Sequence, residues 1–279
     1  MTNGNKIFVT KASNESAEFS ENKLRNSMKR AGATDEEVDK IVKQVYDKLY
    51  QGISTKNIYK IAFSLLRGSS KHVAAKYHLK GAIMELGPSG YPFEKFIGAI
   101  LSHQGYNIKI GQIVKGQCVQ HEIDVIAEKK DEHIMIECKY HNRPGIVCDV
   151  KIPLYIQARF KDVETEWLKI PEHLAKIHQG WVVTNTKFTS DAIQYGTCAG
   201  LKLVGWNYPD GNSLRSQIDA LKLYPITCLT SLTKFEKQKL LENKIVLCQE
   251  LRDNKNLLIK IGVKDTKIDV IMKEVNLLC

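Results

Sequence analysis

Residues 121–127 (HEIDVIA) and 133–139 (HIMIECK) are two short apolar stretches, each with a carboxylate set inside it: Asp124 in the first and Glu137 in the second. Glu137 and Lys139 are two apart, so on a strand they project from the same face. A charge among aliphatic neighbours is costly to bury unless something balances it. A divalent cation held between Asp124 and Glu137 would do so. Mg²⁺ (or Mn²⁺) takes hard oxygen ligands, needs only one or two carboxylates, and leaves room for water and phosphate oxygens. Such an ion polarises a phosphate and lowers the pKa of a bound water. A lysine on the same face can position or deprotonate that water, or offset charge building in the transition state. The chemistry implied is phosphodiester hydrolysis. The competing reading is a surface hairpin in which Glu137 and Lys139 are solvated, and IMIEC, apolar on both sides of the pleat, argues against it.

The elements that must position these groups are legible around them. Phe93, Phe96, Ile97, Ile100 and Leu101 define an amphipathic helix ending near Gly105. Strands are predicted over 106–114, 121–127 and 133–139, with Lys129-Lys130-Asp131 as the hairpin turn. A long helix is expected from about 149 to 163, a second over 171–178, a buried strand at 180–184, a helix capped by Thr189, and a last strand over 201–206. Strand pairs mixed with helices predict an α/β sheet of mixed strand direction. Turn clusters at Gly87–Pro92 and Asn207–Asn212 bound this central part. In front of it, 6–10 reads as a strand, and Ser20, Thr34 (a capping box with Glu37) and Ser54 or Thr55 start helices, followed by a helical run over 71–85. Behind it, 213–279 reads as mainly helical, with 232–243 and 266–277 best defined. Three domains are expected: 1–87, 88–210 and 211–279.

Composition narrows the class. The 279 residues carry a net charge of +10, which fits an anionic partner. Lys and Arg outnumber Asp and Glu fifteen to nine over 1–87 and twelve to eight over 211–279, whereas 88–210 has fourteen of each. The excess cation thus flanks the part that holds the acids. Seven scattered cysteines without a CxxC speak against a disulfide framework or a zinc knuckle. No apolar run approaches the roughly 20 residues of a membrane span, and MTNGNKIF has no basic stretch leading into an apolar one. A cytoplasmic protein without a membrane partner is expected.

Residues 92–206 resemble the Mrr-like branch of the PD-(D/E)xK restriction endonucleases. Four segments carry the resemblance in order: PFEKFIGAILSHQGY, HEIDVIA, IECKYH and GWVVTNTKFTSDAIQYG. It implies Asp124 and Glu137 as metal ligands, Lys139 as the catalytic lysine, and Glu94 as an auxiliary acid reaching the metal directly or through water. A solvated carboxylate on the helix is the alternative for Glu94. It further implies double-stranded DNA as substrate, 5′-phosphate and 3′-hydroxyl products, and a homo-oligomer, since two strands must be cut. His141 and Gln157 are polar neighbours without an assigned role. Arg159 and Lys161 could meet phosphate or simply face solvent.

Residues 7–86 resemble an ATP-cone, a nucleotide-sensing module, through VTK (9–11), FSENKL (19–24), ISTKNIY (53–59) and AAKYHLKGA (74–82). The resemblance implies ATP or dATP as effector, with Lys11 and Lys23 on the phosphates and Val9 against the base. A lysine at a helix start also profits from the free N–H groups of the first turn. The sequence departs from the family where Arg-Asp-Gly is usual, since Ala12-Ser13-Asn14 stands there. A helical dimerisation or DNA-contacting unit without ligand is the alternative. The segment 232–251 is basic and amphipathic and, with LLIKIGVKDTKIDVIMKEV behind it, resembles a helix-hairpin-helix or SAM-like module, which would grip the DNA backbone, or else it is a solvated helix face or a protein contact. As a whole the chain reads as a nucleotide-responsive endonuclease, with a non-cleaving DNA-binding regulator and an RNA-directed nuclease as competitors.

Overall fold

In a computed structural model the described residues are 6–279, and they form two compact units. The first unit gathers the chain up to Ala82 with Tyr224–Leu240 and Cys248–Cys279; the second gathers Ile83–Leu223 with Leu241–Leu247. The architecture is α/β: a small strand-and-helix N-terminal part, a central mixed five-stranded sheet, and a helical C-terminal region.

The N-terminal part opens with β1 (Phe8–Thr10) paired antiparallel to β2 (Ser16–Glu18), Val9 opposite Ala17. Five helices follow: α1 (Glu21–Arg30), α2 (Asp35–Tyr46), α3 (Thr55–Ser69), α4 (Lys71–Tyr77) and α5 (Leu79–Met84). Ser20, Thr34 and Ser54 each accept the backbone N–H three residues on, and Thr34 with Glu37 completes a reciprocal capping box. These caps start helices whose apolar residues converge on one core, with Met28, Val38, Val45, Ala62 and Leu66 fully enclosed.

The second unit begins with α6 (Tyr91–His103), whose Phe93, Phe96 and Ile100 are buried. Its sheet runs in the order β3 (Asn107–Lys115), β4 (Gln120–Glu128), β5 (Glu132–Lys139), β7 (Ile177–Thr184), β9 (Lys202–Val204). The first three strands are antiparallel neighbours, and β5, β7 and β9 are parallel. Between β5 and β7 run β6 (Val147–Cys148), paired with β8 (Lys187–Phe188), and the long α7 (Lys151–Trp167). Gly180 lets α7 approach the sheet: a Cβ there would sit 2.7 Å from Leu201 and 3.0 Å from Phe160. Thr189 caps α8 (Ser190–Cys198) through the Ala192 N–H.

One expected element is replaced. Instead of a helix over 171–178 there is a single 3₁₀ turn at Pro171–His173, and β7 already begins at Ile177. Residues 177–179 pair with 132–134 of β5, and those sheet hydrogen bonds outweigh a local helical period.

The remaining helices are α9 (Leu214–Leu221), α10 (Lys234–Glu242), α11 (Cys248–Asp253), α12 (Asn256–Lys260) and α13 (Asp265–Leu278). Within the first unit the C-terminal segment is fastened to the N-terminal helices by polar bonds. The Thr227 hydroxyl donates to Ala82 O at 2.7 Å, and Arg67 Nη2 donates to Thr230 O at 3.1 Å. Glu274 on α13, 2% exposed, accepts from the Thr230 N–H and hydroxyl and from the Ser231 N–H at 2.7–2.9 Å. None of the seven cysteines, all among the described residues, forms a disulfide. No helix among the described residues is long and apolar enough to cross a membrane.

Candidate active site

β4 and β5 hold the acids by register. Their ladder pairs Val125 with Ile136, so Asp124 and Glu137 come next to each other at the end where the paired stretch stops. There Asp124 Oδ2 accepts the Cys138 N–H at 2.7 Å, taking the backbone donor with its side chain. Glu137 is 6% exposed and lies in the core of the sheet. One of its oxygens accepts from Lys139 Nζ, and the other accepts from Arg159 Nη1 of α7 at 2.6 Å. Arg159 also donates to the Glu122 carbonyl, so one guanidinium ties β4 to the acid of β5.

Glu94, on the first turn of α6, belongs to the same cluster. Its carboxyl is pushed up to about 7, chiefly by burial and then by the charges of Asp124, Glu122 and Glu137. Burial and then Glu137 raise Asp124 to about 6, against the pull of the Cys138 N–H, Lys139 and Arg159. Glu94 thus feels three other carboxylates and Asp124 feels Glu137, while the two cations that bond here both go to Glu137. Repulsion and desolvation together favour binding a small, hard dication. The donor set, carboxylate oxygen throughout, fits Mg²⁺ or Mn²⁺ and is poor for a thiophilic metal.

The segment after β5 is held by the Thr-Asn pair. Thr184 and Asn185 are 0% and 1% exposed. The Thr184 hydroxyl donates to Lys139 O at 2.7 Å, and the Asn185 side chain both accepts the His141 N–H (2.9 Å) and donates to His141 O (2.7 Å). Two buried side chains thus fix the backbone that carries Lys139. Burial lowers the His141 imidazole pKa, and Lys139 adds to the effect. Gln157 Oε1 is buried without a hydrogen-bond partner among the described residues. Lys161 pairs with Glu164 at 2.6 Å on the exposed side of α7.

The start of β4 is organised by Asp162 of α7. Its carboxylate accepts the N–H groups of Cys118 (2.8 Å) and Val119 (3.3 Å) and meets His121 Nε2 at 2.7 Å. These bonds, His121 first, hold its pKa down at about 2. A carboxyl lowered in the fold adds stability above its unfolded value and loses it as pH falls through the folded one. Acid unfolding followed by circular dichroism should therefore show a contribution in wild type that disappears between about pH 4 and 2 and is missing in Asp162→Asn.

The N-terminal part contains a separate cleft of about 270 Å³. Val9, Lys11 and Lys23 all line it, together with Phe19, Tyr59 and Tyr77. Tyr59 and Tyr77 stack at 5.2 Å with their planes 9° apart, and the Tyr59 hydroxyl meets His78 Nδ1 at 2.5 Å. Lys11 Nζ pairs with Glu15 at 3.0 Å, and the Lys23 N–H is capped by Ser20. The cleft offers an apolar and aromatic wall for a planar ring beside two ammonium groups.

An uncharacterized protein of Archaeoglobus fulgidus is 38% identical over 152 residues, spanning 54% of this chain and 81% of that one. The crystal structure of AF1548, a protein of unknown function, is 34% identical with a TM-score of 0.55, covering 67% of this chain and 97% of its own. The chain belongs to the AF1548-like family. Its residues 224–279 match the AF1548-like C-terminal domain. Residues 7–80 match the ATP cone domain, and 87–210 match the Mrr-type restriction endonuclease domain. A nucleotide-binding type of domain thus precedes a nuclease type of domain in one AF1548-like chain.

Several residues around the acids escape sequence reasoning. Glu122 stands two before Asp124, the strand spacing that would have flagged it. Arg159 is visible as a helical cation, but its partner lies 22 residues away, beyond any local pattern. Phe19, Tyr59 and Tyr77 fall inside the motifs that carry the ATP-cone resemblance, and aromatic character was their signal.

Proposed function

We propose that this AF1548-like chain is a metal-dependent endonuclease of double-stranded DNA, answering to ATP or dATP through its N-terminal domain and acting in the cytoplasm against foreign DNA. The observation that carries the reading is the cluster of Glu94, Asp124 and Glu137 with Lys139, inside a restriction-endonuclease type of domain.

Asp124 and Glu137 would hold Mg²⁺ or Mn²⁺, with Glu94 supporting the ion directly or through water. The bound ion would polarise the scissile phosphate and supply hydroxide near neutral pH. Lys139 stands beside Glu137 with its backbone locked by Thr184, placed to orient the attacking water and to offset charge on the phosphate. Arg159 keeps Glu137 aimed and steadies β4, a positioning task. Two strands must be cut, so a homodimer or larger assembly is the working form.

A second reading is favoured by one observation: both oxygens of Glu137 are already paired with cations. On that reading the chain binds DNA in response to nucleotide and does not cut. Supercoiled plasmid incubated with Mg²⁺ or Mn²⁺, with and without ATP or dATP, separates the two. Nicking that EDTA stops is expected. Tight binding without cleavage of duplex, single-stranded or methylated DNA would replace the first reading by the second, and preferential cleavage of RNA in parallel reactions would change the substrate.

A further inference from the structure

At the opposite end of the same strands lies a second group of ligand-type side chains. Register places Glu128 of β4 across from His133 of β5, and His133 beside His178 of β7. Cα partners across a sheet share a face, so the three form one row. His173 joins them from the 3₁₀ turn that precedes β7. The row sits four residues from Asp124 and from Glu137 along their strands, about 13 Å at the usual strand rise.

The spacing of donor atoms is that of a coordination shell. His133 Nε2 lies 3.2 Å from Glu128 Oε1, and His173 Nε2 lies 3.8 Å from the same oxygen. Ligand atoms of Glu128, His133 and His173 all fall within 4.8 Å of one another. Bonds of about 2.0–2.2 Å at a tetrahedral Zn²⁺ put ligands about 3.4 Å apart, so small side-chain movements complete the geometry.

The surroundings point the same way. His133 is 3% exposed, and its Nδ1 has no hydrogen-bond partner among the described residues. The Nδ1 atoms of His173 and His178 are also buried without partners among the described residues. His178 donates its Nε2 proton to the His173 carbonyl at 3.2 Å and so steadies the turn that offers His173. Trp167, at the end of α7, stacks on His133 at 3.8 Å between ring centroids and closes the site from one side. Lys176, 3.8 Å from Glu128 Oε1, is the cation an incoming ion must compete with.

We propose that Glu128, His133 and His173 form a second metal site, selective for a first-row transition ion of the Zn²⁺ type and separate from the carboxylate centre. Two imidazoles with one carboxylate suit Zn²⁺, whereas Mg²⁺ prefers oxygen alone. Bound there, the ion would fasten β4, β5 and the turn before β7 together at one point.

The test is a titration of the full-length chain, stripped with EDTA and kept in excess Mg²⁺, with Zn²⁺. The Asp124→Asn/Glu137→Gln variant is titrated in parallel. One equivalent is expected to bind in both proteins, with a change in tryptophan emission because Trp167 lies against a ligand. His173→Asn, in the 3₁₀ turn and outside the sheet, is expected to keep the fold, which circular dichroism checks. It is expected to weaken binding at least as much as the roughly 10- to 100-fold typical of losing a residue that only orients a ligand. His133→Asn gives the same result where it folds. Zn²⁺ binding that disappears in the Asp124/Glu137 variant and is unchanged in His173→Asn, or no stoichiometric binding to wild type, would overturn the site.

Discussion

Lys139→Ala should slow Mg²⁺-dependent plasmid cleavage by roughly 10²- to 10³-fold, the usual cost of removing one preorganised group that stabilises transition-state charge, and should leave the fold intact. The fold survives because Lys139 is held by its backbone: Thr184 donates to the Lys139 carbonyl whatever side chain is attached. The Lys139 side chain is 28% exposed and Glu137 keeps Arg159 as a second partner, so the loss of stability is expected to stay at about 1 kcal/mol, the usual cost of a point substitution. Glu137→Gln acts differently. It removes a proposed metal ligand and leaves Arg159, 12% exposed, facing a neutral partner. Cleavage should fall below detection, and raising Mg²⁺ should not restore it. Single-turnover rates with enzyme in excess separate chemistry from DNA binding, and a wild-type rate for Lys139→Ala would remove this lysine from the reaction.

The fold was open to sequence reasoning wherever local chemistry decides structure. Ser20, Thr34, Ser54 and Thr189 are capping residues by type and position, and each accepts the expected N–H. The aliphatic runs of β4 and β5 read as strands because both faces are covered, and the central mixed sheet follows. Elements that depend on distant partners were not legible. β2 is Ser-Ala-Glu with no apolar period, and it is a strand because it pairs with β1. The 171–178 segment has helical spacing but lies beside β5. Nothing near Glu274 in sequence announces that its carboxylate will be buried against Thr230 and Ser231, 44 and 43 positions earlier. The same contrast holds at the acids. Asp124 and Glu137 stand out because charge interrupts apolar strands, with Lys139 two residues on from Glu137, and Glu94 is reached only through the family resemblance of the helix that carries it. The Arg159 bridge emerges only when β4, β5 and α7 are brought together.

ATP or dATP should raise the melting temperature, and Lys11→Ala/Lys23→Ala should erase the shift. Nucleotide at a hundred times its dissociation constant adds about 2.7 kcal/mol to whatever it binds only when folded, which scanning fluorimetry resolves as several degrees. The two lysines are poised for this. Lys11 pairs with Glu15 where both side chains are largely exposed, at 46% and 66%, so exchanging that partner for a phosphate costs little. The ring would lie against Val9 and the Tyr59–Tyr77 stack. Of the two family features missing at Ala12-Ser13-Asn14, the turn glycine is replaced in kind. Asn14 adopts φ 62°, the left-handed conformation that asparagine tolerates better than other side chains. Its N–H donates to Lys11 O at 3.0 Å, and the Lys11 N–H donates to Glu15 O at 2.9 Å, so the β1–β2 turn closes without glycine. The arginine is not replaced in kind at Ala12, so phosphate binding, where it occurs, would fall to the two lysines. Ala12→Arg should therefore enlarge the nucleotide-induced shift while Lys11→Ala/Lys23→Ala abolishes it. A shift that survives loss of both lysines would move the binding site elsewhere, and no shift in wild type or in Ala12→Arg would leave this domain without a nucleotide.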